Sequence, residues 1–250
     1  MKILVIGDSC TDVYIYGKCN RLAPEGPVPV FMSTKTEKNG GMARNVYENL
    51  LSLKDDCDLI TNQEDITKTR YVEERRNHLL LRIDSHERRV ARIQNLKEID
   101  FSKYEAIVIS DYDHGFLTEE DIQYICSKKR GKVFMDTKKT IGSWCSEVDF
   151  IKINEFEYEK SKSSLSNVSQ SIRDNMIVTL SDRGCEYRGK QYPVSSVEVK
   201  DMTGAGDTFL SGLVHNYIRT ANIENAIEVD NQYATIIVQH KGVNRIGDFL

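Results

Sequence analysis

Paired cysteines, long apolar runs and a surplus of one charge are all missing from this sequence of 250 residues. None of its six cysteines belongs to a C-x-x-C pair or has a histidine at zinc-site spacing, which argues against a zinc site and indicates free thiols in a reducing cytoplasm. No apolar run approaches the length of a membrane span, and the run at the N-terminus is too short for a signal peptide. A net charge of −4 gives no general attraction to nucleic acid or an anionic membrane. We therefore expect a cytoplasmic protein that binds neither.

Proline is also scarce, and three of the four prolines lie between Pro24 and Pro29. Because proline breaks helices, this segment predicts an edge strand or a lid crossing over a site, from about residue 12 to 32. A second segment, residues 69–84, alternates on either side of a possible turn at Arg76-Asn77 and predicts a β-hairpin. We expect these two segments to form a small β lid.

Short apolar runs that end in polar residues recur along the rest of the chain and alternate with helical patterns. They predict buried strands at residues 3–6, 106–112, 132–136, 150–153 and 176–180. A helix is expected after Thr118, and another from about Glu224 to Gln239. This order predicts a single α/β domain over residues 1–250, with a doubly wound, mostly parallel sheet covered by helices on both faces.

The stretch 201–209, DMTGAGDTF, is a glycine-rich turn that opens directly into an apolar helix starting near Ala205. The free N–H groups and positive end of such a helix favour a phosphate, and Gly204 and Gly206 let the backbone approach it. A carboxylate at Asp207 would repel a resting anion, but it suits a base that takes a proton from a hydroxyl attacking a phosphoryl group. The alternative is an ordinary helix start capped by Thr203 or Asp207.

The string resembles the D-T-G-A-G-D signature of the ribokinase-like sugar kinases, the phosphofructokinase-B family, with Met202 as a variation. The resemblance implies that Asp207 is the catalytic base. It also implies an anion hole formed by the backbone amides of Gly204, Ala205 and Gly206. ATP and Mg²⁺ are the implied cofactors, and K⁺ is required in some relatives.

Further strings resemble the heptose 7-phosphate kinase branch of that family. They are G-D-x-x-x-D from Gly7, R-x-x-P-E-x-P-V-P-V from Arg21 and G-x-A-x-N-V from Gly41. The resemblance implies contacts to sugar hydroxyls from Asp12, Gly40, Gly41 and Asn45. The Gly40-Gly41 pair itself indicates a tight turn before a helix that ends near Ser52.

Cationic residues of the predicted hairpin also match the heptose kinase pattern, and this match implies a phosphorylated sugar as the substrate. Arg70 and Arg82 match the pattern T-K-x-R … R-x-D, and a sugar phosphate needs guanidinium partners, although a solvated strand face is the alternative. Asp136 and Lys138 resemble the family's D-P-K, and we assign them to the substrate as well. His114, where the heptose kinases have lysine, is either a substitute phosphate contact or an ordinary loop residue.

Nucleotide contacts are implied by two later strings. Asn154 and Glu157 form an N-x-x-E string, which in the family positions Mg²⁺ and nucleotide phosphates largely through water. Thr179 and Gly184 belong to a string resembling T-x-G-x-x-G, with serine in place of the middle glycine. Residues 184–191 also come close to a Walker A loop, but an extended segment follows where a helix is needed, so we expect a hairpin there.

The resemblance departs from the family between Leu53 and Thr67, where too few residues remain for the usual strand, loop and helix. We expect a sheet shortened on that edge and a possible homodimer through the lid. The resulting hypothesis is an ATP-dependent kinase of a sugar or sugar phosphate, most readily a heptose 7-phosphate-like substrate. The alternatives are an inactive sugar-phosphate or nucleotide-binding protein and a kinase of an unphosphorylated sugar.

Overall fold

The computed structural model describes residues 1–85 and 90–250 of the chain. Its strands are β1 Lys2–Gly7, β2 Ser9–Ala23, β3 Gly26–Met42, β4 Asp56–Thr61, β5 Thr67–Glu73, β6 His78–Ser85, β7 Ala106–Asp111, β8 Lys132–Thr137, β9 Phe150–Asn154, β10 Met176–Thr179, β11 Cys185–Tyr187 and β12 Lys190–Tyr192. Its helices are α1 Ala43–Ser52, α2 Glu119–Lys128, α3 Glu155–Leu165, α4 Gln170–Asp174, α5 Ala205–Thr220 and α6 Ile223–Ile237.

The larger sheet has eight strands in the order β12-β11-β10-β9-β8-β7-β1-β4. The six strands from β10 to β4 pair in parallel, and only the β11–β12 hairpin at one edge runs antiparallel. Strands that run in the same direction bring their carboxyl ends to one edge of the sheet, where ligands bind in α/β folds. The predicted α/β class is confirmed.

Helices cover both faces of this sheet, as the alternating pattern of strands and helices predicted. On one face, α1, α5 and α6 pack through residues such as Val46 and Leu213 against Ile3 and Val5 of β1. On the other face, α2 and neighbouring loops pack through Ile122 against Leu4 and Ile6 of the same strand. The apolar residues of β1 thus alternate between the two cores, because successive side chains of a strand point to opposite faces.

The smaller sheet has four strands in the order β3-β2-β5-β6 and is built from two hairpins. The hairpin predicted at residues 69–84 is confirmed, with β5 and β6 antiparallel and the turn at Glu74–Asn77. Pro27 and Pro29 lie in β3, an edge strand of this sheet. An edge position tolerates proline because one side of the strand has no ladder partner.

Two expectations about the first sixty residues were wrong. Gly40 and Gly41 do not form a tight turn, since both lie at the end of β3 and pair with Thr11 and Cys10 of β2. A strand also exists where the chain seemed too short for one, because β4 pairs with β1 along its whole length. The larger sheet ends at β4, so the shortening lies beyond that strand.

The hairpin expected in place of a Walker A loop is confirmed as β11 and β12. Arg188 and Gly189 form its turn, and both have positive φ angles, 50° and 74°. Two consecutive positive φ values are typical of the tight turns that match strand twist.

Within residues 1–85 and 90–250, no helix combines the length and the apolar character needed to cross a membrane.

Gly7 is the last residue of β1 and lies opposite Ser110 of β7. A Cβ at this position would be 1.8 Å from the carbonyl oxygen of Ser110, whereas a Cβ at Gly26 would meet nothing within 4 Å. The contact at Gly7 is with backbone, which cannot rotate away as a flexible side chain can. The first strand therefore needs glycine at the point where it reaches the ligand edge of the sheet.

We expect Gly7→Ala to lower the free energy of unfolding by about 3 kcal/mol, because the two strands must separate to admit the methyl group. Gly26→Ala is the matched control and should change it by less than about 0.5 kcal/mol. Urea unfolding followed by circular dichroism measures both. Equal stability of the two variants would contradict the close packing of β1 on β7.

Candidate active site

The hydrogen bonds of the turn before α5 leave backbone N–H groups unpaired at the start of the helix. Gly204 has a φ angle of 79°, and a Cβ there would lie 2.8 Å from the side-chain nitrogen of Asn45. The Ala205 amide donates to the carbonyl of Met202, while those of Gly206 and Asp207 have no acceptor among the described residues. No side chain caps the helix, so the alternative of an ordinary capped start does not hold. Unpaired amides at a helix N-terminus form an anion site.

The carboxylate of Asp207 is buried between donors from two other parts of the chain. Its Oδ2 accepts from Asn45 of α1 at 2.8 Å, and its Oδ1 accepts from the Tyr112 hydroxyl at 2.9 Å. Burial raises the pKa of Asp207 to about 6, aided by the charge of Asp136 and opposed by the hydrogen bonds from Asn45 and Tyr112. A carboxylate with this pKa is ionised near neutral pH and still basic enough to accept a proton.

Asp207 lies at the junction of two cavities. The smaller cavity, of about 250 Å³, is lined mainly by the four-stranded smaller sheet, α1 and the turn before α5. The larger, of about 810 Å³, is lined by the ends of β8, β9 and β10, by residues 194–199 and by parts of α5 and α6. Tyr112, Gly204 and Asp207 line both cavities. A group that leaves one cavity for the other passes the carboxylate.

The smaller cavity brings together four of the eight residues that the sequence analysis assigned to the substrate. Asp12, Asn45, Arg70 and Arg82 all line it. Arg70 donates to the buried Asp12 carboxylate, and Arg82 makes two bonds of 2.7 Å to Asp84. The cavity thus combines an acidic and an amide side chain, suited to hydroxyl groups, with cationic side chains suited to an anion.

The two glycines of the predicted sugar site have structural roles. A Cβ at Gly41 would lie 2.3 Å from Oδ2 of Asp12, so glycine leaves room for that carboxylate. A Cβ at Gly40 would lie 2.5 Å from Cγ of Arg44 on α1, and neither glycine lines a cavity. Their effect on a ligand is therefore indirect, through the placement of Asp12 and α1.

Asp136 and Lys138, which the sequence analysis assigned to the sugar substrate, line the larger cavity. They do not line the smaller cavity with Asp12, Asn45 and the two arginines. The Asp136 carboxylate bridges two lysines, with 3.2 Å to Lys138 and 2.6 Å to Lys152. Burial alone would raise the pKa of Asp136, but the two lysines lower it below its usual value. A Cβ at Gly206 would lie 2.8 Å from Nζ of Lys152, so this cation sits directly at the start of α5.

The N-x-x-E string begins α3 and makes a capping box. The Asn154 side chain accepts from the Glu157 amide at 2.9 Å, and Glu157 accepts from the Asn154 amide at 2.7 Å. The second oxygen of Glu157 accepts from Lys138. Asn154 lines the larger cavity and Glu157 does not.

Direct coordination of a metal by Glu157 does not fit this arrangement, because Glu157 does not line the larger cavity and Lys138 already compensates its charge. No group of three or more histidine, cysteine or acidic side chains in residues 1–85 and 90–250 is placed to hold a metal ion. Any Mg²⁺ here must therefore keep water in its coordination shell, as Mg²⁺ commonly does.

Thr179, the last residue of β10, and Gly184, which directly precedes β11, both line the larger cavity. Ser181, which replaces the middle glycine of the motif, has a φ angle of 58°. The positive φ explains why glycine suits this position, since a side chain is strained there. His114 lines neither cavity; its carbonyl accepts from the Val90 amide, which is the loop role left open above.

Three residues of the site were missed at the level of sequence. Tyr112 and Lys68 line the smaller cavity, and Lys152 lines the larger one. Lys152 carried a usable signal, because a lysine inside the apolar run FIKIN must find a buried partner. Tyr112 follows the buried strand β7 at its ligand edge, which is a weaker signal. Lys68 is the lysine of the T-K-x-R string, but the sequence analysis assigned no role to it.

The model of the pfkB family carbohydrate kinases matches residues 56–247 of this sequence. The chain belongs to this family. Carbohydrate kinase activity follows from that membership, and the predicted recognition is confirmed. Kinases of this family use ATP and Mg²⁺.

Among curated proteins, the chain is similar to several that are named "bifunctional protein HldE". It is 29% identical to the one from a Nitratiruptor species and 30% identical to the one from Helicobacter pylori (strain G27). Both alignments cover 96% of this chain but only 62% and 63% of those relatives. The chain thus spans about three-fifths of the length of the curated relatives it matches.

Solved structures share the fold at low sequence identity. Ribokinase from Thermotoga maritima has a TM-score of 0.72 at 16% identity, over 96% of this chain and 94% of that one. A nucleoside kinase from Methanocaldococcus jannaschii has a TM-score of 0.69 at 16% identity, over 97% and 93%. Ribokinase from Arabidopsis thaliana, solved with ribose and ATP, has a TM-score of 0.67 at 13% identity, over 98% and 94%. These likenesses confirm the ribokinase-like fold.

Proposed function

We propose that the protein transfers the γ-phosphoryl group of ATP to a hydroxyl of a phosphorylated sugar, with Asp207 as the base. The observation that carries this proposal is the position of the Asp207 carboxylate at the junction of the two cavities. The larger cavity takes the nucleotide and the smaller one takes the sugar. The proposal concerns phosphoryl transfer alone.

In this mechanism the sugar hydroxyl gives its proton to Asp207 as its oxygen attacks the γ-phosphorus. The bond from the γ-phosphorus to the bridging β,γ-oxygen breaks, and ADP leaves through the larger cavity with that electron pair on its β-phosphate. The free amides of Gly206 and Asp207, together with the amide of Gly204, donate to the oxygens of the transferred group. Lys152 adds a full positive charge beside Gly206. The site thus places a base on the acceptor side of the transferred group and a cluster of donors on its nucleotide side.

Nucleotide phosphates in the larger cavity would lie against Lys138, Lys152 and the Thr179–Gly184 loop. Mg²⁺ bound to those phosphates would contact Glu157 and Asn154 through water, since both side chains are engaged in the capping box. When bound, the ion neutralises negative charge on the phosphates. An apolar wall that suits a nucleobase is supplied by Val197 and Val199, together with Val238 directly after α6.

The lid of the proposed single domain is the smaller sheet, which includes the expected segments 12–32 and 69–84. Asp12, Lys68, Arg70 and Arg82 extend from this sheet into the smaller cavity. A lid that supplies substrate contacts excludes water when the sugar is bound, which limits hydrolysis of ATP.

A heptose 7-phosphate-like substrate is proposed from the charges of the smaller cavity. Lys68, Arg70 and Arg82 line it together, and only Arg70 and Arg82 have carboxylate partners among the described residues. The phosphate of a sugar phosphate would give Lys68 a partner, whereas a neutral sugar would leave this cation unpaired. The resemblance of the hairpin to T-K-x-R … R-x-D supports the same substrate class.

We expect Asp207→Asn to reduce turnover about 1,000-fold while the affinity for ADP stays within twofold, because the amide cannot accept the proton. In the unaltered protein, kcat/KM should fall as the pH drops through about 6, where Asp207 becomes protonated. Steady-state kinetics and calorimetry measure both. Full turnover in Asp207→Asn would remove the base from its role, and nucleotide binding without turnover in the unaltered protein would favour the inactive binding protein.

We expect Arg82→Gln to raise the KM of a phosphorylated sugar about tenfold with little change in kcat, because the guanidinium would bind the phosphate already present. ADP release is measured against a panel of free and phosphorylated sugars, heptose 7-phosphates included. Arg75→Gln, in the exposed turn between β5 and β6, is the matched control. Turnover of a free sugar that is insensitive to Arg82→Gln would identify a kinase of an unphosphorylated sugar.

The outer face of the lid suggests a homodimer. Arg70 and Arg82 are cross-strand partners that face the cavity, so Leu81 and Ile83, paired with Tyr71 and Thr69, face away from it. Leu81 is 53% exposed and Ile83 is 48% exposed. A second copy of the lid presents the same apolar face, and the contact between two such faces would bury both.

We expect the protein to be a dimer by light scattering and Leu81→Glu to be a monomer, because the charge would be buried at the contact. Leu51→Glu is the control, since Leu51 is 44% exposed on α1, outside the lid. A monomeric unaltered protein at about 100 μM would contradict the dimer, as that concentration exceeds the Kd of a stable interface.

A further inference from the structure

Tyr112 occupies the wall between the two cavities and lines both. It follows β7 directly, and its amide donates to the buried carboxylate of Asp8 at 2.7 Å. Asp8 also accepts from the Phe116 amide at 3.4 Å, which ties down the far end of the same loop. The backbone of Tyr112 is therefore held at the ligand edge of the sheet by a group that touches neither cavity.

The hydroxyl of Tyr112 contacts the proposed base, and one lysine from each cavity lies near its ring. Its hydroxyl donates to Oδ1 of Asp207 at 2.9 Å. Lys68 of the smaller cavity lies 5.5 Å from the ring centroid, and Lys138 of the larger cavity lies 5.0 Å from it. Cations at these distances are attracted to the ring face, so the ring is restrained by contacts from both sides of the junction.

We propose that Tyr112 is a positioning residue of the transfer step, whose hydroxyl holds the Asp207 carboxylate in a fixed, ionised orientation at the junction of the two cavities. This inference rests on the proposed role of Asp207 as the base. Asn45 fixes the other carboxylate oxygen at 2.8 Å, so two donors from separate elements determine the plane of the carboxylate. The remaining lone pairs are then directed at the acceptor hydroxyl.

Tyr112 keeps its own proton throughout the step. Burial raises the pKa of its phenol well above the usual value, and the charge of Asp207 adds to this effect. The proton of the sugar hydroxyl therefore goes to Asp207, and the bond from Tyr112 stabilises the ionised form of the base beforehand. Loss of that bond makes Asp207 easier to protonate, so its pKa rises.

Other charged or titratable groups around Asp207 stay in place when Tyr112 is altered. From the smaller cavity they are Cys10, Asp12, Lys68, Arg70 and Arg82, and from the larger cavity they are Asp136, Lys138 and Lys152. Lys152 lowers the pKa of Asp207 and Asp136 raises it. A change in the pH profile of a variant that removes only the Tyr112 hydroxyl is therefore a direct report on the bond between the two side chains.

The test is Tyr112→Phe, which keeps the ring between the lysines and removes only the hydroxyl. We expect kcat to fall about tenfold or more, which is the usual weight of a hydrogen bond to a charged group. The acid limb of the kcat/KM profile should shift to higher pH by about half a unit or more, while KM for both substrates stays within twofold. Tyr104→Phe is the matched control, because it also removes a bond of 2.7 Å from a phenol to a carboxylate, that of Asp58, outside both cavities.

A second variant should shift the acid limb of the kcat/KM profile in the opposite direction. It also keeps the proposal testable if Tyr112→Phe does not fold. Tyrosine fluorinated on the ring and incorporated at position 112 is a stronger donor of nearly the same shape, so the acid limb should shift to lower pH. An unshifted limb in both variants, or a raised KM with unchanged kcat and limb, would overturn the proposal and leave Tyr112 as a wall residue. Turnover by Asp207→Asn would instead overturn the base assignment, so the two failures are distinguishable.

Discussion

Burial of the Asp207 carboxylate is the constraint on which this site depends. A buried charge is tolerated only where donors surround it, and here the donors come from distant parts of the chain. Asn45 is 162 residues away and Tyr112 is 95 residues away, so neither bond exists until α1, β7 and α5 have packed together. The two donors do not fully offset the loss of solvation, since the pKa of Asp207 remains raised to about 6. A carboxylate with such a pKa suits the role of base that we propose for Asp207.

Local signals made much of this predictable from the sequence. The turn at residues 201–207, the strands that carry apolar runs and the hairpins at 69–84 and 185–194 all depend on neighbouring residues, and each was confirmed. The strand β4 was missed because the segment between Leu53 and Thr67 seemed too short for it, whereas β4 needs only 6 residues to pair with β1 along its whole length. The glycine pair at 40 and 41 was misjudged for a related reason. Its value lies in space for Asp12 and Arg44, which only the folded chain brings close.

The same distinction divides the residues of the site. Positions named by a motif could be found, but their grouping into two cavities could not. Asp136 and Lys138 were assigned to the sugar, and they line the other cavity because β8 lies nearer to β9 than to the lid. Tyr112 and Lys152 contact partners that are remote in sequence, Asp207 and Asp136. The sequence indicates that Lys152 needs a buried partner, but it does not indicate which residue that partner is. A residue that acts through another residue is visible only where the two are brought together.

The cation cluster at the start of α5 shows how structure and binding share the same side chains. Glu157 caps α3 and accepts from Lys138, which in turn contacts Asp136, and Asp136 contacts Lys152. Two lysines and two carboxylates make this cluster neutral, so phosphate oxygens must compete with Asp136 and Glu157 for the lysines. A phosphate chain that carries its own Mg²⁺ brings less negative charge toward those carboxylates than a free nucleotide does. If the larger cavity takes the nucleotide as proposed, the cluster would therefore favour the metal-bound form over the free nucleotide.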